Sequence, residues 1–370
     1  MAGFTSFSKK ILIFLNILAA IVFLLACLAP YLDPEQWWLL SIIGLGFPIT
    51  LVIQILFIFL WLIIQPRLVL ISLISLLIGW KNIAVSFAFN SKKEFVQSKP
   101  KDVLRVVHWN VARFIEWSRN NNEGSQLRLK MMDQLKAQDA DVLCLIEFYH
   151  SINPLYYDNL SHVMKELGYP YYFYSWDDDG GDQWGGQAIF SRHPIIDSGM
   201  LRYPKPAMQE SLVHTDILFN TDTVRIYATH LQSVRFERED YEKIKKIKQR
   251  DDKIIENSKN IFSKLKRGFI YRSRQSRLVQ NELDKSPFPY IITGDFNDVP
   301  NSNTYFSIRK NTKDAFLEKG SGIGRTFALI SPTLRIDYIL ASEAFDVLQF
   351  KRITKFYSDH FMLVADLKLN

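Results

Sequence analysis

The sequence predicts an α/β fold of two packed sheets flanked by helices, preceded by about three membrane-type helices. Three observations predict it. Charge is nearly absent from residues 1–90, short apolar runs of strand length recur through the rest of the chain, and stretches of helical spacing fall between some of those runs.

The amino-terminal region comes first. Residues 1–90 hold four basic residues (Lys9, Lys10, Arg67, Lys81) and two acidic ones (Asp33, Glu35). Apolar stretches run over 11–29, 39–64 and 68–89, the third interrupted by Lys81 and Asn82. A bilayer core needs ~20 apolar residues per helix, which the first two meet and the third meets only marginally. A signal peptide has a short apolar core and a small-residue cleavage site; two further apolar stretches argue against cleavage after the first. Residues 1–90 therefore read as a multi-span anchor in an inner or plasma membrane, with a buried helical hairpin as the alternative. Lys9 and Lys10 place the amino terminus in the cytoplasm by the positive-inside rule. Trp37 and Trp38 suit an interface, and Gln65-Pro66-Arg67 makes the second turn. Three spans put the rest of the chain on the non-cytoplasmic side, whereas two leave it inside. Lys92, Lys93, Lys99 and Lys101 weigh against three; the almost wholly aliphatic run from Leu68 to Trp80 weighs for them, and three are preferred.

Residues 91–101 are polar and read as a linker to a domain over 102–370. Within it, apolar runs occupy 103–107, 142–146, 171–174, 187–190, 213–218, 224–229, 290–293, 335–340 and 361–367. Their length and their β-branched or aromatic content fit buried strands. Helical patterns lie at 126–138 and 155–167. Strands thus outnumber helices, as two packed sheets require. Cys27 falls in an apolar stretch and Cys144 in a strand, so a disulfide between them is not expected.

One insertion breaks the pattern. From Arg235 to Arg277 fifteen basic and seven acidic residues give a net charge of +8, against +7 for the whole chain. Tyr241, Ile244, Ile247, Ile254, Ile261, Leu265 and Phe269 recur at near-helical spacing, so the insertion reads as a long amphipathic helix. It is either a solvated helix packed by that stripe or a basic surface for anionic headgroups, a polyphosphate or nucleic acid.

The candidate chemistry lies at the ends of the apolar runs, at Asn110, Glu147, His230, Asp295, Asn297, Asp337, Asp359 and His360. Such placement gathers distant residues at one rim of a sheet scaffold. Asp295 and Asn297, at i and i+2 of a strand end, would project together and hold a metal-activated water beside a phosphate. Glu147 closes an apolar run, where an acid is costly unless it serves a cation; with Asn110 it supplies ligands suited to magnesium. His230 closes an apolar run and His360 follows an aspartate, and a histidine is a residue type that can give or take a proton near neutral pH. Ser191-Arg192-His193-Pro194 reads as a turn. The glycine pairs at 180–181 and 185–186 read as a flexible loop, either a plain turn or a substrate gate.

Seven motifs in order carry a specific resemblance: Val-Val-His-Trp-Asn-Val (106–111), Leu-Ile-Glu (145–147), Gln-Ala-Ile-Phe-Ser-Arg-His-Pro-Ile (187–195), Ala-Thr-His-Leu-Gln-Ser (228–233), Gly-Asp-Phe-Asn-Asp-Val-Pro (294–300), Arg-Ile-Asp-Tyr-Ile-Leu (335–340) and Ser-Asp-His (358–360). The set resembles the endonuclease/exonuclease/phosphatase superfamily, which includes pancreatic deoxyribonuclease-like enzymes, inositol polyphosphate 5-phosphatases and neutral sphingomyelinases. It covers about residues 102–370. The resemblance implies a four-layered α/β sandwich of two mixed sheets with its site at one rim. It implies that Glu147 binds magnesium, or manganese in its place, beside Asn110, and that Asp359 completes a metal or water shell. Asp295 and Asn297 would orient the attacking water and the phosphate. His360, positioned by Asp337, would be the general base or transition-state partner. His230 would bind phosphoryl oxygens or protonate the leaving group. The abasic-site nucleases carry a tyrosine in the role of His230, so the chain looks more like the other branches.

The expected activity is a membrane-anchored, magnesium-dependent phosphoesterase that hydrolyses a phosphodiester or phosphomonoester by in-line water attack, without a covalent intermediate. Its substrate class is a phospholipid, a headgroup or nucleic acid, with membrane lipid as a partner. A membrane-tethered nuclease and a non-catalytic binding domain on the same fold are the alternatives.

Overall fold

In the computed structural model, which describes residues 6–115, 126–204, 210–234 and 254–370, the chain divides by its contacts into two units. One comprises Met1–Phe87, Val234–Ser273 and Val299–Ser307; the other comprises Ala88–Ser233, Arg274–Asp298 and Ile308–Asn370. Of the described residues, 254–273 and Val299–Ser307 group by their contacts with the amino-terminal helices.

Among the described residues, the amino-terminal part of the first unit holds five α-helices, α1 (Ser6–Leu28), α2 (Pro34–Leu45), α3 (Phe47–Ile64), α4 (Val69–Ile78) and α5 (Trp80–Ser86). Two segments, Phe7–Tyr31 and Phe47–Ile64, are long and apolar enough to cross a membrane. The stretch 39–64, expected as one span, is instead divided at Gly46. Gly46 ends α2 with a ψ of 2°, and Pro48 sits in the first turn of α3, where a missing N–H disrupts no helical bond. The third stretch is also broken, with α4 and α5 meeting at 64°. The break falls at Gly79, where a Cβ would lie 2.6 Å from the Phe23 ring and 2.8 Å from the Cys27 sulfur. Close approach to α1 thus demands glycine, and glycine weakens the helix there. The helical part ends at Ser86, short of the expected Phe89.

Polar side chains fasten these apolar helices to one another. The Trp61 indole donates to Asn16 Oδ1 at 2.8 Å, and the Asn16 amide donates to Ser72 Oγ at 2.8 Å, linking α1, α3 and α4. Asn82 donates to the Cys27 carbonyl at 3.0 Å and to Asn301 Oδ1 at 2.7 Å, while Asn301 donates to the Ala26 carbonyl at 3.0 Å. Where lipid supplies no hydrophobic drive between helices, such bonds are the available glue. Outward-facing Ile49 and Ile63 are 68% and 82% exposed, so the helices carry an exposed apolar surface.

Among the described residues, the second unit holds twelve principal strands: β1 (Val103–Asn110), β2 (Val142–Ile146), β3 (Tyr171–Tyr174), β4 (Ala188–Ser191), β5 (Ile195–Arg202), β6 (Ser211–Phe219), β7 (Asp222–His230), β8 (Tyr290–Asp295), β9 (Thr312–Asp314), β10 (Asp337–Ser342), β11 (Phe345–Ile353) and β12 (Met362–Leu369). They form two six-stranded sheets, ordered β11-β12-β1-β2-β4-β3 and β9-β10-β8-β7-β6-β5. Both are mixed: β1 and β2 run parallel, as do β7 and β8, and the other pairs are antiparallel. Residues from both sheets, among them Leu104, Val106, Cys144, Val224, Ile226, Ile291 and Ile339, fill one shared core. On the outer face of the first sheet Val107 and Trp109 pack with Met131, Met132 and Leu135 of α6 (Gln126–Lys136). Outside the second sheet, the end of α7 (Ile254–Asp284) receives the Tyr227 hydroxyl at the Glu282 carbonyl, 3.2 Å away. The layers are therefore helix, sheet, sheet, helix.

Two long strands, β5 and β11, had no counterpart among the expected apolar runs. Both are edge strands, and each leaves alternate or successive side chains partly exposed, so neither needs an apolar run. The basic insertion is described only from residue 254; residues 235–253, with Tyr241, Ile244 and Ile247, lie outside the described residues. Its helix continues past Arg277 to Asp284.

The expected linker is a strap, not a free tether. Ala88–Phe89 pairs with Ser321–Gly322, and Phe95 packs against the outer core. Arg105, fully buried, lies 4.9 Å from the Phe95 ring and donates to the Gln97 carbonyl at 2.8 Å, so one arginine holds the strap. Its guanidinium also forms a two-point ion pair with Asp366, at 2.7 and 2.9 Å. Removing one member of a buried pair strands the other charge, at a cost of about 3–5 kcal/mol. Arg105→Met is therefore expected to lower the thermal unfolding midpoint of the detergent-solubilised protein and to open residues 94–97 to protease. An unchanged midpoint and cleavage pattern would contradict this account.

Candidate active site

The candidate residues leave their strands at one end of the two sheets. Asn110 ends β1, Glu147 follows β2, His230 ends β7, Asp295 ends β8, Asp337 opens β10, and His360 lies two residues before β12. Parallel pairing puts His230 directly beside Asp295 in register, and antiparallel pairing puts Asp337 on the other side of Asp295. The Gly294 backbone makes this possible, because a Cβ there would lie 2.5 Å from the Thr229 carbonyl oxygen.

At the centre, the Asn110 amide nitrogen lies 3.1 Å from Glu147 Oε1 and 3.1 Å from Asp295 Oδ2. His230 Nε2 stands 3.8 Å from Asp295 Oδ2 and 3.9 Å from Glu147 Oε1. His360 Nδ1 lies 2.8 Å from Asp337 Oδ2, and its Nε2 lies 3.6 Å from Asp295 Oδ2. The His360 backbone is pinned as well. Ser358 Oγ donates to the Asn110 carbonyl at 2.8 Å and accepts the His360 N–H at 3.1 Å, and the Trp109 indole donates to the His360 carbonyl at 2.9 Å.

Electrostatics follow from this burial. Removal from water would push the His360 imidazole down, but the Asp337 and Asp295 carboxylates outweigh it and raise its pKa to about 10. Burial would raise Asp337, yet the His360 charge and the hydrogen bonds from His108 and His360 hold it well below the usual carboxylate range. Asp295 goes the other way. Burial, then the neighbouring Asp337 charge, raises it, and the two histidines only partly offset them.

Two site residues depart from their expected geometry. The strand ends at Asp295, and Asn297 lies in the turn beyond it with φ +52°, so the i, i+2 strand argument does not apply. Its N–H donates to Asp295 Oδ1 at 2.9 Å and its amide to the Leu231 carbonyl at 3.0 Å, which ties the ends of β8 and β7 together. Asn110, expected as a metal ligand, turns its donor nitrogen toward the carboxylates, because its oxygen already accepts the Ala112 N–H at 3.0 Å. It bridges Glu147 to Asp295. Asp359 is half-buried, with Oδ1 3.2 Å from Ser358 Oγ; among the described residues no hydrogen bond or ion pair joins it to Glu147 or Asp295. Glu147 itself has a φ of +52°, and Ala112 to Ile115 are all left-handed, so backbone strain gathers around the site.

One residue that sequence reasoning passed over is His108. It is fully buried, and its Nε2 lies 3.1 Å from Asp337 Oδ1. The signal was its place two residues before Asn110, on the same strand face; it was missed because it stands inside an apolar run and not at its end. The loop expected at 180–186 is shaped by a small sheet of His150–Ser151, Gln183–Gly185 and Asp177–Asp178, where Trp184 stacks on His150. Ser191 to His193 forms a turn closed by the Ser191 hydroxyl.

The donors suit a hard cation. Ligand-type atoms of Asp295, Asp337 and His360 lie within 4.8 Å of one another. Both Asp337 oxygens already accept from histidines, however, while the Glu147 carboxylate is 39% exposed beside buried Asp295. Carboxylate oxygens of this kind fit magnesium or manganese.

A sequence model of the Endonuclease/Exonuclease/phosphatase family matches residues 107–360. The chain belongs to that family. Residues 9–86 match a domain of unknown function, DUF8431. No curated protein matches the chain by sequence. Among solved structures, the chain is similar to an endonuclease/exonuclease/phosphatase from Beutenbergia cavernae, with 21% identity, a TM-score of 0.51 and 72% of each chain covered. It is also similar to humanized D. rerio TDP2, at 17% identity and TM-score 0.50 over 72% of this chain and 99% of that one. The human Nocturnin catalytic domain with bound sulfate is similar at 19% identity and TM-score 0.50, over 72% and 94% of the two chains. At these identities the likeness shows the fold, that of the endonuclease/exonuclease/phosphatase family.

The charge pattern sets a pH signature for the metal-free protein. Because His360 is raised, its pairing stabilises fully below its ordinary value of 6.5 and is lost as pH rises through about 10. Asp337 is lowered, so its share is present above its ordinary value of 3.8 and lost as pH falls below it. In chelator, the unfolding midpoint of wild type should exceed that of His360→Ala most between these limits. For Asp295 the sign reverses, since its ionised form is disfavoured in the fold; Asp295→Asn should raise the midpoint at neutral pH. A midpoint lowered by Asp295→Asn would contradict the assigned burial cost.

Proposed function

We propose that this protein is a membrane-anchored, magnesium-dependent phosphoesterase acting on a phospholipid or its headgroup. The observation that carries the reading is the convergence of Glu147, His230, Asp295 and the Asp337–His360 pair at one sheet rim, bridged by Asn110. Glu147 would hold the metal, with Asp359 completing its water shell. When bound, magnesium supplies Lewis-acid polarisation of a phosphoryl oxygen. Asp295, with its raised affinity for a proton, orients the attacking water and takes its proton as oxygen bonds to phosphorus. Asn297 fixes the Asp295 carboxylate through its N–H and helps to seat the phosphate. His360, held charged by Asp337, donates from Nε2 to a phosphoryl oxygen as negative charge develops there. His230 protonates the leaving oxygen as its bond to phosphorus breaks.

The lipid direction rests on the anchor. Two helices are long and apolar enough to cross a membrane, and the register of buried bonds supports a third crossing. Asn16 meets Ser72, and Cys27, eleven residues on, meets Asn82, ten residues beyond Ser72. At ~1.5 Å per residue each path climbs about 15 Å, so α4 and α5 together keep pace with α1 despite their bend. This register favours a broken span over a re-entrant loop. Ala88 then leaves on the face opposite Lys9 and Lys10, which is the non-cytoplasmic face by the positive-inside rule.

A screen of phospholipid, inositol phosphate, plasmid DNA and RNA substrates, with and without magnesium, is expected to show metal-dependent release of phosphate or headgroup from lipid. Nucleic acid cut in preference to lipid would favour the nuclease alternative. Glu147→Gln and His360→Ala should each lower kcat by about 10²–10⁴-fold while circular dichroism stays unchanged; turnover retained in the double variant would refute the site. A reporter fused to Asn370 is expected to be active only outside the cytoplasm, and activity confined to the cytoplasm would refute three spans.

A further inference from the structure

The Asp337 carboxylate has two oxygens, and each meets a histidine. Oδ2 lies 2.8 Å from Nδ1 of His360, and Oδ1 lies 3.1 Å from Nε2 of His108. His108 sits inside β1, paired with Leu363 on one side and Cys144 on the other, and is 0% exposed. Strand alternation puts it on the inter-sheet face with Leu104, Val106 and Asn110. Asp337 belongs to the opposite sheet.

The second ring nitrogen decides its state. His108 Nδ1 is buried and has no hydrogen-bond partner among the described residues. A neutral imidazole carries one N–H and one lone pair; the contact with Asp337 takes the proton on Nε2 and leaves Nδ1 bare. Nε2 is thus set as the donor to the Asp337 carboxylate.

Thr326 Oγ1 accepts the Asp337 N–H at 3.0 Å and so fixes its backbone, but the carboxylate torsion itself is soft. The two histidines set its plane. The geometry points to His108 as a positioning residue that orients the Asp337 carboxylate, so that His360 Nε2 is held toward Asp295 and the reacting phosphate. An apolar residue would fill the same core volume, and would leave Asp337 Oδ1 without this donor.

The inference rests on the phosphoesterase reading for its kinetic assay, with the full chain in detergent micelles and bis(p-nitrophenyl) phosphate plus magnesium as the probe. His108→Leu, or His108→Ala should the larger residue not fold, is expected to lower kcat about tenfold to hundredfold, with KM within about twofold. His108→Gln, which keeps a donor of similar reach, should recover kcat to within about threefold of wild type. In an Asp337→Asn background the His108 substitution should cause no further loss, because its route of action is already cut. Wild-type kcat in His108→Leu, or losses that multiply in full in the double variant, would overturn the assignment. So would a His108→Gln variant with wild-type turnover when neither apolar variant folds, since the donor would then serve the fold alone. If wild type hydrolyses no phosphoester, the functional reading fails first. The same cycle in thermal midpoints then tests the contact separately, and additive shifts there overturn it.

Discussion

The rim of this molecule depends on side chains of one sheet hydrogen-bonding the buried carboxylates of the other. Asp295 and Asp337 end or begin strands of the second sheet; Asn110, His108 and His360 come from the first. Behind them lies a shared core built mainly of apolar side chains. Two ionised groups in such a place would be expelled or neutralised without partners. The bonds that satisfy them also set the spacing between the sheets at that end, so chemistry and architecture share the same few contacts.

That arrangement has an asymmetry. Asp337 is surrounded by donors and keeps its charge easily, while Asp295 is raised by burial and by Asp337 itself. Two neighbouring carboxylates are thus pushed in opposite directions by their surroundings. Strain accompanies this contrast. Glu147 and Asn297 are left-handed, and so is the turn Ala112–Ile115 just after Asn110. Short strand-end turns impose these conformations, and the stiff sheets behind them keep the side chains in place.

The amino-terminal unit follows another rule. Its outer faces are apolar and exposed, so polar contacts are drawn inward, where Asn16, Trp61 and Ser72 form one chain and Asn82 and Asn301 another. Asn301 follows the Gly-Asp-Phe-Asn-Asp run by only three residues yet packs with the helices. Sequence continuity therefore did not predict which unit would hold it.

Periodicity and composition determined a good deal. The apolar runs at 142–146 and 171–174 are strands with those bounds, and the polar residues at run ends do gather at one rim. Edge strands β5 and β11 escaped notice because a half-exposed strand needs no apolar run, and the polar linker hid the hold of Arg105 on Phe95. The ordered motifs pointed to the endonuclease/exonuclease/phosphatase family, whose model matches residues 107–360. Only the tertiary structure decided how the site residues meet. It set the Asn110 amide between Glu147 and Asp295, placed Asn297 in the turn beyond the strand, and brought in His108, a residue from the middle of an apolar run. The reason is that spacing along a strand fixes which face a side chain uses, whereas its partner across two sheets is set by packing between segments more than two hundred residues apart.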